Sequence, residues 1–116
     1  MGEEDIDFSD PYSLLASDEV CGNFTVTCGQ TDVIVWNTSD VTSAGTVSIY
    51  YGSGCADELI VTVVDSEAIA DTFLVPSQNT RSRTYANIVE VRVSCPPGGN
   101  QTSCHGRYSI DLHYLV

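Results

Sequence analysis

The chain contains no lysine, and its only basic residues are four arginines: Arg81, Arg83, Arg92 and Arg107. Chemistry that depends on lysine is thereby excluded: Schiff bases, phosphate binding by a P-loop and Lys–Asn isopeptide cross-links. Against those four stand 16 acidic residues, for a formal net charge of −12 over 116 residues. A field of that sign repels phosphate backbones, so no nucleic-acid partner is expected. No apolar run reaches the ~18 residues that a membrane helix needs, so no membrane span is expected. The opening Met1-Gly2-Glu3-Glu4-Asp5 has neither the basic end nor the apolar stretch of a secretion signal. There is no Gly-x-Ser-x-Gly elbow and no Asp-x-Asp-x-Asp-Gly calcium loop. Asp57-Glu58 and Asp65/Glu67 read as solvated surface, Asp111 and His113 as one outward strand face, and Gly52-Ser53-Gly54 as a turn. Neither an enzyme nor a cofactor is expected.

Hydrophobic residues at 42% and charged residues at 17% describe a folded chain rather than a disordered one. The length suits a single domain able to bury a core of its own.

The five cysteines are Cys21, Cys28, Cys55, Cys95 and Cys104, with no Cys-x-x-Cys pair and no zinc-finger spacing among them. A metal site would have to be assembled from scattered residues, and none is expected. Cys95 and Cys104 flank Pro96-Pro97-Gly98-Gly99-Asn100-Gln101-Thr102-Ser103, a turn-forming stretch that would bring two strands and their sulfurs together. They are the candidate intrachain disulfide. Cys21, Cys28 and Cys55 are candidates for other or intersubunit bridges, or for small buried apolar residues. An odd count leaves at least one thiol free or available to a neighbouring molecule.

Charge divides the chain. Residues 1–19 carry seven acids and no base, whereas the remainder carries nine acids and all four arginines. This suggests an N-terminal connector arm over 1–20 and a body over 21–116. Within the arm, Ile6, Phe8, Tyr12 and Leu14 form one apolar row if the chain is extended. Alternatively, Asp10-Pro11 starts a short helix through Tyr12–Glu19. A row of large apolar residues on an acidic arm suggests docking, and Arg81, Arg83, Arg92 and Arg107 are the available counter-charges.

The body reads as β throughout, in short alternating segments separated by turn residues. Strands are expected over Asn23–Cys28, Asp32–Asn37, Gly45–Tyr51, Glu58–Asp65, Ala70–Val75, Thr80–Tyr85, Ile88–Cys95 and Arg107–Val116. In the seventh, Val89, Val91 and Val93 are expected to point inward, and Glu90, Arg92 and Ser94 outward. Eight strands buried on one side fit an all-β, two-sheet jelly-roll sandwich preceded by an extended arm. An immunoglobulin-like sandwich is the competing topology, although its Cys…Trp…Cys spacing is not convincingly met.

Four features coincide: the arm, the Val20-Cys21 step into the body, the Val33-Ile34-Val35-Trp36 strand and the closing Arg107-Tyr108-Ser109-Ile110-Asp111-Leu112-His113-Tyr114 strand. Together they make the chain resemble the subunits of endospore appendages, the Ena-type pili of spore-forming bacteria. The resemblance covers about residues 20–116 and rests on strand patterns and one cysteine step. It implies a jelly-roll subunit made without a secretion signal that polymerises with copies of itself into an extracellular, spore-surface fibre. The filament would be helical or built of stacked rings, with other spore-surface or fibre proteins as possible partners. It further implies lateral joining by sheet augmentation and an N-terminal connector seated in neighbouring subunits. Two departures stand out: residues 1–20 contain no cysteine for a connector cross-link, and Ser109 stands where several relatives carry cysteine. Cys21 matches the family's receiving position. The competing reading is a monomeric jelly-roll module binding carbohydrate or protein, favoured if Trp36, Tyr50 or Tyr51 were exposed on a concave face. Three Asn-x-Ser/Thr sequons, at Asn23, Asn37 and Asn100, fit a eukaryotic ectodomain or a chain rich in Ser and Thr.

Overall fold

The computed structural model describes residues 15–38 and 43–115. Eight strands follow in chain order: β1 (Leu15–Thr27), β2 (Val33–Asn37), β3 (Ser43–Ser53), β4 (Glu58–Val64), β5 (Ala70–Pro76), β6 (Asn79–Ile88), β7 (Glu90–Ser94) and β8 (Ser103–Leu115). They form two four-stranded antiparallel sheets, ordered β1-β8-β3-β6 and β2-β7-β4-β5. This is the jelly-roll order, and it sets the immunoglobulin-like alternative aside.

The topology is one long hairpin folded in half and rolled up. Strand β1 pairs with β8, β2 with β7, β3 with β6 and β4 with β5. Rolling the hairpin adds the β3–β8 and β4–β7 ladders. The tip is the 65–69 turn, where the Asp65 carboxylate accepts the Glu67 and Ile69 N–H groups at 2.9 Å each. Asp65 is therefore occupied as a turn cap.

Alternation places one face of each strand in the core. Val47, Ile49 and Tyr51 of β3, Leu59, Val61 and Val63 of β4, Phe73 and Val75 of β5, and Val91 and Val93 of β7 are buried. Phe24 and Val26 of β1 and Ile110 of β8, in the same sheet as β3, complete the layer. Each fully buried aliphatic or aromatic side chain contributes about 1.5–3 kcal/mol of transfer free energy.

Three expectations need correction. Residues from Leu15 onward are extended and paired with β8, from Leu15↔Leu115 to Thr27↔Ser103. The alternative helix through Glu19 is thus excluded over its described part, and β1 reaches six residues into the segment assigned to the arm. The partner strand offers a full ladder of main-chain bonds, which outweighs a weak local helix signal. Ser94, expected outward, is 7% exposed. Its Oγ accepts the Asp32 N–H at 2.8 Å, which satisfies a polar atom inside the sandwich. Finally, the chain breaks between β6 and β7 at Val89, so Ile88 fills the core while Val89 is only half-buried.

On the side where β5 and β6 face each other, the gap between the sheets is closed by polar and stacking contacts. Asp71 accepts a hydrogen bond from the Tyr85 hydroxyl at 2.7 Å and pairs with Arg83 at 2.9 Å. The Arg83 guanidinium also stacks over Phe73, 5.2 Å from the ring centroid. The Tyr85 hydrogen bond, with help from Arg83, holds the Asp71 carboxyl below its usual value. A depressed carboxylate stabilises the fold above its unfolded pKa, and that contribution is lost as pH falls through the folded one. With the Asp71 side chain 45% exposed, solvent screening reduces the contribution to about 0.5–1 kcal/mol. Asp71→Asn should lose that much at pH 7 in urea unfolding, and the difference from the parent chain should shrink as pH falls through the lowered pKa of Asp71.

Candidate functional site

Antiparallel pairing satisfies the inner strands of each sheet on both sides and the outer strands on one. Among the described residues the outer strands are β1 and β6 in one sheet and β2 and β5 in the other. Each has one margin with no neighbouring strand, and β1 and β6 run for 13 and 10 residues. A row of main-chain donors and acceptors of that length is a template for another strand.

The outer face of the first sheet is polar. Thr46 pairs with Thr84 through their hydroxyls at 2.8 Å, and Ser48 with Ser82 at 2.7 Å. Beside this ladder runs an open groove lined by Glu19, Cys21, Asn23, Tyr50, Arg107 and Tyr108, among others. A second groove, between β5 and β6, is lined by Glu58, Phe73, Leu74, Arg81 and Arg83, among others.

The arginines divide into two groups. Arg83 is held by Asp71 and Arg92 by Glu90, both within the chain. Arg81 and Arg107 are exposed, each in one of the two grooves, and no ion pair among the described residues involves them. The proposed docking residues Ile6, Phe8, Tyr12 and Leu14 lie outside the described residues.

The sulfurs are sorted just as sharply. Cys95 of the β7–β8 connection is bonded to Cys104 of β8, with Cα atoms 5.9 Å apart. Cys28, in the turn after β1, is bonded to Cys55 in the β3–β4 connection, with Cα atoms 6.0 Å apart. Of the three candidates for other or intersubunit bridges, Cys28 and Cys55 are thus bonded to each other within the chain. Residues 27 positions apart meet because β1 and β3 lie in one sheet and their ends converge. Sequence spacing carries no sign of that. Cys21 is the free cysteine, exposed on β1 and directly opposite Ser109 of β8.

The aromatic residues that a binding module would present are not presented together. Tyr51 is wholly buried, Trp36 is half-buried against the core, and Tyr50 is 38% exposed. A bulge in β2 between Ile34 and Trp36 turns the strand at that point.

Comparison with known proteins bears on the whole architecture. A subunit of Bacillus endospore appendages, described as a novel family of disulfide-linked pili, superimposes with a TM-score of 0.70 at 14% identity, over 88% of each chain. The crystal structure of FLHE superimposes with a TM-score of 0.50 at 14% identity, over 88% of this chain and 98% of the other. At such identities the likeness is one of fold. No curated protein sequence matches the chain. The family model of endospore appendages, the Enas, matches residues 8–116. With a match over nearly its full length and a jelly roll that superimposes on an appendage subunit, the chain belongs to the endospore appendage family.

Proposed function

We propose that the chain is a structural subunit of an extracellular, spore-surface fibre. Copies join side by side by sheet augmentation, and the N-terminal residues of one copy seat on the next. The observation that carries this reading is a pair of sheets whose outer strands each keep, among the described residues, an unpartnered margin, in a chain of the appendage family. Each main-chain bond formed at such a margin contributes about 0.5–1.5 kcal/mol. Docking of Ile6, Phe8, Tyr12 and Leu14 adds about 1.5–3 kcal/mol for each large side chain buried. Arg81 and Arg107, exposed in their grooves, are the counter-charges we assign to the acidic arm. Repetition without closure gives a filament.

Cysteine arithmetic sets the kind of cohesion. Four of the five cysteines are spent within the chain, which leaves Cys21 alone to reach another copy. One thiol per subunit can join copies in pairs but cannot link a continuous polymer of identical chains. The fibre is thus held along its length by packing and hydrogen bonds.

The test follows the strand boundary. Because β1 starts at Leu15, deleting residues 1–14 removes the arm and spares the strand. The shortened chain should keep its melting temperature yet fail to grow long fibres in negative stain. Intact fibres boiled in detergent without reductant should run as monomers and dimers only. Full-length fibres from the shortened chain would overturn the role of the arm, and a covalent ladder would overturn the non-covalent account.

A further inference from the structure

The two disulfides are not independent. They lie at one end of the sandwich, and the Cys55 and Cys95 sulfurs, one from each bond, are 3.5 Å apart. The sulfurs of Cys28, Cys55 and Cys95 all fall within 4.8 Å of one another. Gly54 allows this crowding, because a Cβ there would sit 2.7 Å from both the Cα and the sulfur of Cys104. Access to the sulfurs is graded. Cys28 is half-buried, Cys55 is 7% exposed, and Cys95 and Cys104 are fully buried.

We propose that this four-sulfur cluster is a thiol–disulfide exchange site: small thiols and disulfides react at Cys28, and the exchange passes inward through Cys55 to the Cys95–Cys104 bond. Exchange requires a thiolate to reach a disulfide sulfur, and Cys28 is the sulfur of the four most open to solvent. A small thiolate attacks the Cys28 sulfur, forming a mixed disulfide, and Cys55 leaves as the thiolate. Cys55, in contact with Cys95, attacks its sulfur. The Cys55–Cys95 bond forms, the Cys95–Cys104 bond breaks, and Cys104 departs as the thiolate. This internal step neither gains nor loses electrons. A second small thiolate then attacks the mixed disulfide, releasing the external disulfide and the Cys28 thiolate. Two external thiols are oxidised and one protein disulfide is reduced.

Tyr51 stands at the inner end of the path. Its hydroxyl lies 3.5 Å from the Cys104 sulfur while donating to the Ala56 carbonyl at 2.6 Å. Burial keeps the phenol protonated, so it can turn to stabilise the departing thiolate. Run in reverse with an external disulfide as oxidant, the same steps deliver oxidising equivalents to a pair that no solvent molecule touches.

The test uses the intact, oxidised subunit. It is incubated with excess reduced glutathione at pH 8, samples are quenched with iodoacetamide, and linked peptides are mapped by mass. The expected result is a transient species joined through Cys55–Cys95 with Cys104 alkylated, preceding the fully reduced chain. In the C28S/C55S double variant the buried bond should be reduced at least tenfold more slowly. Loosening of that variant would speed reduction, so slowing cannot arise from unfolding. Absence of the Cys55–Cys95 species from the parent chain overturns the proposal by itself. So does a variant that keeps its fold by amide exchange and loses Cys95–Cys104 as fast as the parent.

Discussion

Opening both core disulfides should lower the melting temperature of the isolated subunit by more than about 20 °C. Cys28–Cys55 and Cys95–Cys104 close loops of 27 and 9 residues. In the chain-entropy model these contribute about 3.5 and about 2.5 kcal/mol. The two loops do not overlap, so their contributions add to about 6 kcal/mol, comparable to the entire stability of many domains. One bond ties the β1–β2 connection to the β3–β4 connection, and the other clasps the β7–β8 connection. Calorimetry with and without a phosphine reductant measures the effect. Separate C28A/C55A and C95A/C104A variants should show the larger loss for the longer loop. A melting temperature that does not respond to complete reduction would refute this account.

Gly106→Val should be nearly as damaging, by about 3 kcal/mol or more. Gly106 lies on β8, paired with Phe24 on one side and Tyr51 on the other. A Cβ at that position would sit 2.2 Å from the Tyr50 carbonyl oxygen and 2.5 Å from the Phe24 ring. The Phe24 ring could rotate away, but a main-chain carbonyl inside a ladder cannot. Strand β8 is an inner strand, held between β1 and β3, so shifting it would strain two ladders at once. Soluble yield and urea unfolding would report the loss. A Gly106→Val subunit of ordinary stability would show that the β3–β8 ladder yields more readily than its geometry suggests.

The legible and illegible parts of this molecule divide along a physical line. Val47, Ile49 and Tyr51 alternate with Thr46, Ser48 and Tyr50, and that period alone places them inside. Val91 and Val93 follow the same rule. Alternation failed at Ser94 and Val89. There the deciding facts were a main-chain donor at Asp32, far off in sequence, and a break between two strands. The residues before Cys21 misled for a related reason. A proline-led acidic stretch has local helix signals, yet β8 supplies a partner for residues from Leu15 onward that no local window contains. The clamp of Asp71, Arg83 and Tyr85 was equally invisible, because it joins strands of different sheets across their open side.

The amino-acid sequence by itself determined the all-β class, the number of strands, the acidic field with its four arginines, and an odd cysteine count. Each of these is a property of composition or of a period only two residues long. The tertiary structure alone decided that Leu15 meets Leu115, that Cys28 is bonded to Cys55 and leaves Cys21 by itself, and that two disulfides touch. Those are contacts between distant segments, and they exist only once the long hairpin has rolled its two ends together.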